Sequence, residues 1–295
     1  MDGFSGYNQI QIKPEDKHKK TFICPLRTFS YKKMSFGHKN DGATFQRAMS
    51  YTFHDIKKFI KAYLDDLAAH SRLRVEHTEH RREIFTRCRY YTIHFNPHKY
   101  IFCVISGQLI GFIVSKYAIM IDPFKVEAII KLPPPRTIRQ LQSLQGKEIF
   151  FGHFITNYPE VTKGFMRLLK MKIPFYWDDQ AHRSFEALKK AFTSSPILSP
   201  PDYNKDFLLY LATIESTMGM VLVQEGEDHL EHVIYYLSRA LMGPELFYSH
   251  VKKLALAAVH VVQRLRHYLI LRKMLVVAIL NPFQYILTQR LIGGK

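Results

Sequence analysis

Tyr63-Leu64-Asp65-Asp66 is the stretch that decides the fold, because it places two adjacent carboxylates between apolar arms at residues 59–64 and 67–69. Short apolar runs around a polar turn are typical of a β-hairpin. Burying two like charges together is costly unless a cation compensates them, and Mg²⁺ is bound through carboxylate oxygens. Aspartate is also common in solvated turns, so the surrounding sequence must decide between a metal site and an ordinary turn.

The sequence upstream of the hairpin favours the metal site. Asp2 supplies a third carboxylate at the end of a first strand-like segment, which is followed by the alternating residues Ile10-Gln11-Ile12. Residues 34–46 form a glycine-containing loop that enters a helix. Apolar residues then recur at three- and four-residue spacing, which predicts an amphipathic helix over residues 43–60.

The sequence downstream of the hairpin continues the alternation of helices and strands. Residues 75–92 have the pattern of a strongly charged helix, which Asn96-Pro97 ends. Residues 100–105 and 108–115 predict paired strands around Ser106-Gly107. A run of three prolines then breaks the pattern, and a helical stretch follows it from residue 137.

The second half of the chain begins near Pro174. Trp177-Asp178-Asp179 predicts the start of a new helix with Asp178 as its N-cap. The apolar stripe of that helix consists of Ala181, Phe185, Leu188 and Phe192.

The last third of the chain predicts a β-β-β-α-β order. Three strand-like runs occupy residues 207–214, 219–224 and 232–237, and a helix over about 250–270 and a strand over 274–280 follow them.

The charge of the chain indicates a polyanionic partner. The 295 residues carry 42 Lys and Arg against 25 Asp and Glu, a net charge of +17. The first 140 residues hold 24 of these basic residues against 12 acidic ones, so the excess lies mainly in the first half. Nucleic acid is the simplest partner, and a basic protein without such a partner is the alternative.

The cysteine count and the apolar runs bear on the compartment. Three cysteines without a C-x-x-C pair argue against a disulfide framework and against a cysteine-rich zinc site. No signal peptide opens the sequence, and its apolar stretches are too short and too interrupted to span a bilayer. We therefore expect a soluble intracellular protein without a membrane partner.

Five motifs in order resemble those of the reverse transcriptases of gypsy-type LTR retrotransposons. Residues 2–7 match the strand that carries a metal-binding Asp followed by Gly-Tyr, and residues 35–46 resemble the loop and helix that contact template and nucleotide. Residues 63–66 match the Y-x-D-D hairpin. Residues 95–99 and 109–112 resemble the lysine-bearing turn and the primer grip. Several motifs in the right order are far more specific than any one of them.

The resemblance implies a fold and a division of the chain. The fold is α+β, with a ferredoxin-like polymerase palm and a thumb or connector, followed by an incomplete RNase H-like α/β domain. The expected domains are the palm over residues 1–120, the thumb or connector over 121–174, and a degenerate RNase H-like domain over 175–295. The fingers are expected to be largely missing, since Met1 resembles an internal methionine of a longer Pol polyprotein.

The resemblance also implies the catalytic residues. Asp2 and Asp65 would hold two Mg²⁺ ions, with Mn²⁺ as an alternative, and Asp66 would be a supporting carboxylate. One ion would activate the primer 3′-hydroxyl and the other would neutralise the triphosphate.

Further residues take binding roles by the same resemblance. Tyr7 would lie under the sugar and exclude a 2′-hydroxyl, with a packed core tyrosine as the alternative, and Phe36 and Gly37 would line the nucleotide pocket. Lys99 would assist the leaving pyrophosphate, with a charged turn residue as the alternative. The residues expected to contact template or primer are Gln46, Gly111, Lys116, Lys125, Lys131, Arg136 and Arg139, and for each of the basic ones a solvated surface charge is the alternative.

Some residues depart from the family pattern. Family members usually have Pro where Ser35 stands, an apolar residue at His38 and a small one at Asp41, and a carboxylate near a nucleotide site would repel phosphate. Because fingers strands are expected to be missing before Asp2, we expect the isolated chain to polymerise poorly.

The RNase H-like part lacks the carboxylates that an active nuclease needs. Leu211 stands where the first Asp belongs, Leu254 where the helix Glu belongs and Ile279 where the third acid belongs. Glu215 lies four residues beyond Leu211 and would share its face if the strand continued, but one carboxylate would still be insufficient. We therefore expect a structural connector without nuclease activity.

The expected function is RNA-directed DNA polymerisation, that is, template-directed nucleotidyl transfer to a primer 3′ end. The alternative is a decayed, non-catalytic remnant that binds nucleic acid. The implied partners are an RNA or DNA template with its primer, dNTPs, and the remaining Pol and Gag parts of the element. The family places such proteins in a cytoplasmic particle or the nucleus.

Overall fold

The strands of the first half form short hairpins around two helices. The structure is a computed structural model that describes Met1, Gly3 and residues 6–170, 174–270 and 272–283. The chain divides into two compact units, Met1–Ile110 and Gly111–Lys295, which are called the first and second unit below. Both units combine helices and strands, which confirms the α+β class.

The described residues of the first unit form five strands and two α-helices. In chain order they are β1 (Thr21–Ile23), β2 (Thr28–Ser30), α1 (Asp41–Thr52), β3 (Ile60–Tyr63), β4 (Asp66–Ala69), α2 (Arg74–Tyr90) and β5 (Ser106–Leu109). Short 3₁₀ turns occupy Gly6–Gln9, Pro14–Lys20 and Pro97–Lys99.

The helix predicted over residues 43–60 is shorter than expected. α1 ends at Thr52, and the following backbone makes i→i−3 bonds from Ile56 to Phe53 and from Phe59 to Ile56. Phe53, Ile56 and Phe59 are all 2–3% exposed. Their spacing therefore reflects successive buried turns rather than a continuing helix.

The core of the first unit lies where α1 and α2 bury one face each. Phe45 and Met49 of α1 and Ile84 and Cys88 of α2 are at most 3% exposed, and they share one hydrophobic cluster with Ile60 and Leu67 of the hairpin β3–β4. The hairpin that carries the two aspartates is thus anchored on the core by its apolar arms.

The strands predicted over residues 100–105 do not form. β5 begins at Ser106, β6 (Phe112–Ser115) follows in the second unit, and the two residues between them are Ile110 with φ 51° and Gly111 with φ 78°. Positive φ at both central residues is the signature of a two-residue type I′ turn. The turn therefore lies at Ile110-Gly111 and not at Ser106-Gly107.

The first part of the second unit is largely helical. β6 pairs antiparallel with β7 (Ile119–Ile121), and α3 (Pro123–Ile130), α4 (Ile138–Glu148), α5 (Tyr158–Met166) and α6 (Asp179–Thr193) follow. Asp178 caps α6 by accepting a hydrogen bond from the Ala181 backbone N–H at 2.9 Å. The predicted stripe of α6 is confirmed, since each of its four residues is at most 1% exposed: Ala181, Phe185, Leu188 and Phe192.

The second part of the second unit has the predicted β-β-β-α-β order. β8 (Phe207–Thr213), β9 (Thr217–Glu225), β10 (Glu231–Ala240) and β11 (Met274–Val277) form one sheet in the order β10-β9-β8-β11. Two helices, α7 (His250–Arg264) and the short α8 (Arg266–Leu269), lead from β10 back to β11, which runs parallel to β8.

In the parts of the chain that the structure describes, no helix combines the length and the apolar character that crossing a bilayer requires.

Candidate functional site

The two aspartates of the decisive motif stand at the tip of the β3–β4 hairpin. Tyr63 pairs with Asp66, so Leu64 and Asp65 form the two-residue turn. Leu64 adopts φ 50° to make it. The apolar arms are confirmed, but the turn lies one residue earlier than the predicted Asp65-Asp66, and Asp66 is the first residue of β4.

Gln46 of α1 holds this turn through both ends of its side-chain amide. Its Oε1 accepts a hydrogen bond from the Leu64 backbone N–H at 2.7 Å, and its Nε2 donates to the Ala62 carbonyl at 3.1 Å. Because both partners are backbone groups of the hairpin, the helix fixes the position of the residue just before Asp65.

Gly6 makes room for the Asp65 carboxylate. A Cβ atom at Gly6 would lie 2.6 Å from Asp65 Oδ1 and 3.0 Å from the ring of Phe45, and Oδ1 is buried. Real Cβ atoms do not approach other heavy atoms to 2.6 Å, so a larger residue would displace the carboxylate or the backbone. Glycine is required here for close approach.

Met1 and Gly3 form hydrogen bonds with the hairpin, whereas Asp2, Phe4 and Ser5 lie outside the described residues. The Gly3 backbone N–H donates to the Asp65 carbonyl at 3.0 Å, and the Met1 carbonyl accepts from the Leu67 N–H at 2.8 Å. Gly3 also forms an antiparallel bridge with Phe95. These bonds join Met1 to β4, and Gly3 to the turn of the hairpin and to Phe95.

Tyr7 lies beside Asp65 in a group of aromatic rings. Its ring centroid is 5.3 Å from that of Phe45 and 5.5 Å from that of Phe36. Burial raises the pKa of Tyr7 above its usual range, and the nearby carboxylates of Asp65 and Asp41 raise it further. The side-chain hydroxyl of Tyr7 therefore keeps its proton near these two carboxylates.

Phe36 and Gly37 lie in the loop next to Tyr7. Phe36 is 83% exposed although one edge of its ring contacts Tyr7, so its ring is open to a ligand. Gly37 adopts φ 102°, which glycine tolerates and other residues rarely adopt. The structure thus places Tyr7, one of the predicted nucleotide-binding residues, beside Asp65 of the hairpin, and a second one, Phe36, in contact with Tyr7.

The three departures from the family pattern are connected to one another. The Ser35 hydroxyl hydrogen-bonds with Nε2 of His38 at 2.8 Å, and the Asp41 carboxylate accepts a bond from the His38 backbone N–H at 2.5 Å. The Asp41 N–H in turn donates to the His38 carbonyl, and Asp41 is 6% exposed. These residues tie the loop to the start of α1.

The remaining predicted binding residues lie farther along the chain. Lys99 is an exposed residue at the end of the 3₁₀ turn that follows Phe95. Gly111, Lys116, Lys125, Lys131, Arg136 and Arg139 belong to the second unit, where the side chains of the five basic residues are exposed. Lys131 pairs with Glu127, and the stem of Lys125 lies near Gly111.

The three residues expected to stand in place of nuclease carboxylates have apolar side chains, and two of them are buried. Leu211 of β8 and Leu254 of α7 are 4% and 1% exposed and share one hydrophobic cluster, whereas Ile279 is 85% exposed beyond β11. β8 ends at Thr213, so Glu215 lies in the following turn and not on the strand face of Leu211. Its carbonyl accepts a bond from Lys253 Nζ at 2.9 Å.

Sequence reasoning missed two features of the first unit. The first is the reciprocal hold of Gln46 on the hairpin, for which the sequence offers no signal. The second is the hairpin β1–β2, whose signal was present in the β-branched and aromatic residues at 21–23 and 28–30 around a proline.

Divalent metal ions are generally used by reverse transcriptases. The described residues contain no group of three or more His, Cys, Asp or Glu side chains able to hold a metal ion. Asp65 and Asp66 are adjacent in that part of the chain, and Asp2 is not among its residues. The carboxylates of Asp65 and Asp66 supply oxygen donors of the kind that a hard cation prefers.

Two family models match the chain. Residues 1–129 match the reverse transcriptase (RNA-dependent DNA polymerase) family, and residues 177–276 match the RNase H-like domain found in reverse transcriptase.

Similar curated proteins are transposon polyproteins. The chain is 30% identical over 297 residues to a retrovirus-related Pol polyprotein from transposon 297 of Drosophila melanogaster, covering 100% of the chain and 28% of that protein. It is 30% identical to the Pol polyprotein from transposon opus of the same species, covering 91% and 28%. It is 24% identical to the Tf2-3 polyprotein of Schizosaccharomyces pombe, covering 100% and 22%. The chain thus spans a quarter or so of the length of these relatives.

Solved structures show the same fold. The foamy viral protease-reverse transcriptase in complex with double-stranded DNA matches with a TM-score of 0.83 and 18% identity, over 100% of this chain and 62% of that one. The same protein in complex with an RNA/DNA hybrid matches with a TM-score of 0.82 and 19% identity, over 98% and 39%. With both family models in chain order and Pol polyproteins as relatives, the chain belongs to the reverse transcriptase and RNase H-like region of LTR-retrotransposon Pol polyproteins.

Proposed function

We propose that this chain carries the polymerase site of an RNA-directed DNA polymerase, which extends a primer 3′ end by nucleotidyl transfer from dNTPs on an RNA or DNA template. The observation that carries the proposal is the seating of Asp65, whose carboxylate packs against Gly6 and beside Tyr7 at the tip of a fixed hairpin. Phosphoryl transfer depends mainly on positioning and electrostatics, and this hairpin supplies a positioned charge.

The residues that would hold the cofactor are Asp2 and Asp65, with Asp66 in support. When bound there, two divalent cations, Mg²⁺ or Mn²⁺, supply charge neutralisation for the triphosphate and acidify the primer hydroxyl. The carboxylate of Asp65 is kept in place by Gly6 on one side, and its turn is held by Gln46 on the other.

The nucleotide would bind against Tyr7, Phe36 and Gly37. The Tyr7 ring is packed between Phe36 and Phe45. By the family resemblance it would lie under the sugar and exclude a 2′-hydroxyl. Lys99 would act on the leaving pyrophosphate. Gln46 is assigned a contact with nucleic acid by family resemblance, and its bonds to the hairpin favour an additional positioning role.

The second unit would bind the primer–template duplex and would not cleave it. Gly111 and the exposed basic residues from Lys116 to Arg139 are proposed to contact the duplex backbone, which suits their charge. Apolar side chains at Leu211 and Leu254 cannot ligate a metal ion, so the RNase H-like fold acts as a connector. The palm is proposed to span residues 1–120, the thumb or connector 121–174 and the RNase H-like domain 175–295.

The proposed partners are template, primer, dNTPs and the remaining Pol and Gag parts of the element, and the proposed compartment is a cytoplasmic particle or the nucleus. Nucleic-acid partners are supported by the similar foamy viral enzyme, which is described in complex with double-stranded DNA and with an RNA/DNA hybrid.

The test compares Asp65→Asn with the wild-type chain in two assays. Primer extension on poly(rA)/oligo(dT) with Mg²⁺ measures catalysis, and titration with Mn²⁺ followed by electron paramagnetic resonance measures metal binding without catalysis. We expect Asp65→Asn to lower extension by orders of magnitude and to weaken Mn²⁺ binding, because asparagine keeps the shape and removes the charge.

Asp206→Asn is the matched control, since it makes the same change at an exposed residue of the second unit. It should leave both assays unchanged. Mn²⁺ binding that is equal in wild type and Asp65→Asn would overturn the metal assignment, even if extension by the wild-type chain is too slow to detect.

A further inference from the structure

The hairpin β1–β2 presents an aromatic surface to solvent. Phe22 pairs with Phe29 across the two strands, and its ring contacts Phe29 at 5.9 Å and Tyr31 at 5.1 Å between centroids. The guanidinium of Arg27 lies 5.3 Å from the ring of Phe29. All six strand residues are exposed. We call residues 21–31 the aromatic hairpin.

Packing into a hydrophobic core does not explain the presence of three aromatic residues in this hairpin. Phe22, Phe29 and Tyr31 are 40%, 38% and 45% exposed, and none of them belongs to the core cluster of the first unit. A two-stranded hairpin without a covered face is marginally stable in water. Exposed aromatic rings that contact one another in such a hairpin indicate a binding surface.

The surroundings of the aromatic hairpin are strongly basic. Residues 13–33 hold seven Lys and Arg against two acidic residues, and one of those two, Asp16, pairs with Lys19. The basic residues are Lys13, Lys17, Lys19, Lys20, Arg27, Lys32 and Lys33. The partner should therefore carry negative charge together with flat apolar groups.

Single-stranded nucleic acid combines these two properties. Its bases are free to stack on aromatic side chains, and its phosphates are attracted to lysines. A duplex keeps its bases stacked inside and offers only phosphates and groove edges. The exposed ring faces thus favour a single strand over a duplex.

The base of the aromatic hairpin is joined to the candidate nucleotide pocket. The Ile12 N–H donates to the Lys32 carbonyl at 3.0 Å, and the Met34 N–H donates to the Ile10 carbonyl at 2.9 Å. The segment from Ile10 follows the 3₁₀ turn that contains Tyr7, and Met34 precedes Phe36 by two residues. The hairpin is therefore continuous in sequence with the segments that carry Tyr7 and Phe36.

We propose that the aromatic hairpin is a platform for single-stranded nucleic acid, on which bases stack against Phe22 and Tyr31 while the surrounding lysines contact phosphates. The identity of this strand as the template rests on the proposed polymerase function. Binding itself does not depend on catalysis.

The test is fluorescence anisotropy with labelled 20-nucleotide oligo(dT) and oligo(rU) and with a blunt 20-base-pair duplex. Phe22→Ser combined with Tyr31→Ser removes two stacking faces and no charge. We expect single-strand affinity to fall roughly tenfold to a hundredfold, because stacking on an aromatic side chain carries much of such binding. Affinity for the duplex should change little.

The matched control is Ile23→Ser combined with Leu26→Ser, which removes two apolar residues of the same hairpin that are 86% and 90% exposed. This control should bind both ligands as the wild type does. An equal loss of single-strand and duplex affinity in the aromatic variant, or an equal loss in the control, would overturn the proposal.

A second measurement keeps the test independent of any unfolding of the serine variant. Phe22→Trp in a Trp177→Phe background places the only tryptophan on the platform. Oligo(dT) should quench its fluorescence and the duplex should not. Absence of quenching by saturating oligo(dT) would contradict the proposal. Self-assembly of the chain that requires Ile23 and Leu26 would also contradict it and indicate a protein as the partner. Binding to phosphatidylserine vesicles that requires the same two residues would indicate a membrane.

The outcome is separable from that for catalysis. Asp65→Asn should lower extension by orders of magnitude and leave oligo(dT) binding unchanged. Because oligo(dT) binding is measured without catalysis, it tests the platform even if the polymerase proposal fails.

Discussion

At the residue scale, Gly6 is the position at which the smallest change should have the largest effect. Gly6→Ala adds one carbon 2.6 Å from Asp65 Oδ1 and 3.0 Å from the Phe45 ring. We expect primer extension to fall roughly a hundredfold, because a shift of the reacting geometry by about 1 Å costs that much. Extension, kcat and KM are measured here and below on the chain joined to a fingers region from a related element, since the isolated chain is expected to polymerise poorly. Extension and thermal unfolding measured on the same preparation separate a displaced carboxylate from a lost fold.

Gly107→Ala is the control for that change, since a Cβ at Gly107 would meet nothing within 4 Å. It should extend primers at the wild-type rate. A Gly6→Ala chain that extends primers as fast as the Gly107→Ala chain would show that Asp65 tolerates displacement.

Residues whose role follows from their own charge could be identified from the sequence. Residues whose role depends on close approach to a distant part of the chain could not. The carboxylates of Asp65 and Asp66 stand out because two adjacent charges inside an apolar hairpin need a reason. The contact of Gly6 with Asp65 depends on the tertiary fold, whereas the bond between His38 and Asp41 is local and joins the loop to the start of α1. Sequence alone could treat Ser35, His38 and Asp41 only as separate departures, whereas the structure connects them.

At the scale of secondary-structure elements, the link between α1 and the β3–β4 hairpin passes through Gln46. Gln46→Leu keeps the size of the side chain and removes its bonds to Leu64 and Ala62. We expect kcat to fall at least tenfold while the KM for dTTP changes less, because the turn before Asp65 loses its support. Unfolding free energy should fall by about 1–3 kcal/mol, since two backbone groups lose partners.

Gln180→Leu makes the same change at an exposed position of α6 and serves as the control. It should alter neither kcat nor KM. Equal kinetics in the Gln46 and Gln180 variants would mean that the hairpin holds its own position.

The elements themselves were predictable where burial repeats regularly. The stripe of α6 and the order of β8 to β11 were found because each buries one face over many residues. The predictions that were wrong concern turns. Ile110-Gly111 forms a turn that needs positive φ at an isoleucine, which no local propensity suggests, and the periodic residues after Thr52 belong to separate turns.

Glu148 at the end of α4 should make the stability of the second unit depend on pH. It is fully buried, and burial raises the pKa of its carboxyl to about 7, which the Tyr158 hydroxyl opposes only in part. Between its ordinary pKa near 4.5 and 7, the folded state keeps a proton that the unfolded state loses. Stability therefore falls by about 3 kcal/mol as the pH rises through this window.

Urea unfolding at pH 5.5 and pH 8 measures this effect. Glu148→Gln removes the titrating group, so its midpoint should fall less between the two pH values than that of the wild type. Glu227→Gln, at an exposed residue, should behave as the wild type does. The same pH dependence in all three chains would rule out Glu148 as the cause.

At the scale of the whole molecule, the net charge of +17 should govern how the chain meets nucleic acid. Lys and Arg exceed Asp and Glu by 12 in the first 140 residues, so the field is strongest in the part that contains the hairpin and the first basic residues of the second unit. Phosphates carry no sequence information. Binding to duplexes should therefore be strong at low salt and tolerant of sequence.

The prediction is that affinity for a primer–template falls steeply and linearly in log–log form as the salt concentration rises, with nearly equal values for two unrelated sequences. A protein that makes six or more phosphate contacts loses at least about a thousandfold in affinity between 50 and 200 mM salt. Lys125→Gln and Arg136→Gln should each lower the salt slope by about 1 without changing sequence preference. Lys131→Gln is the comparison, because Lys131 already pairs with Glu127 and releases fewer ions on binding. A flat salt response, or a strong preference for one of the two sequences, would mean that the basic surface does not bind the duplex through its backbone.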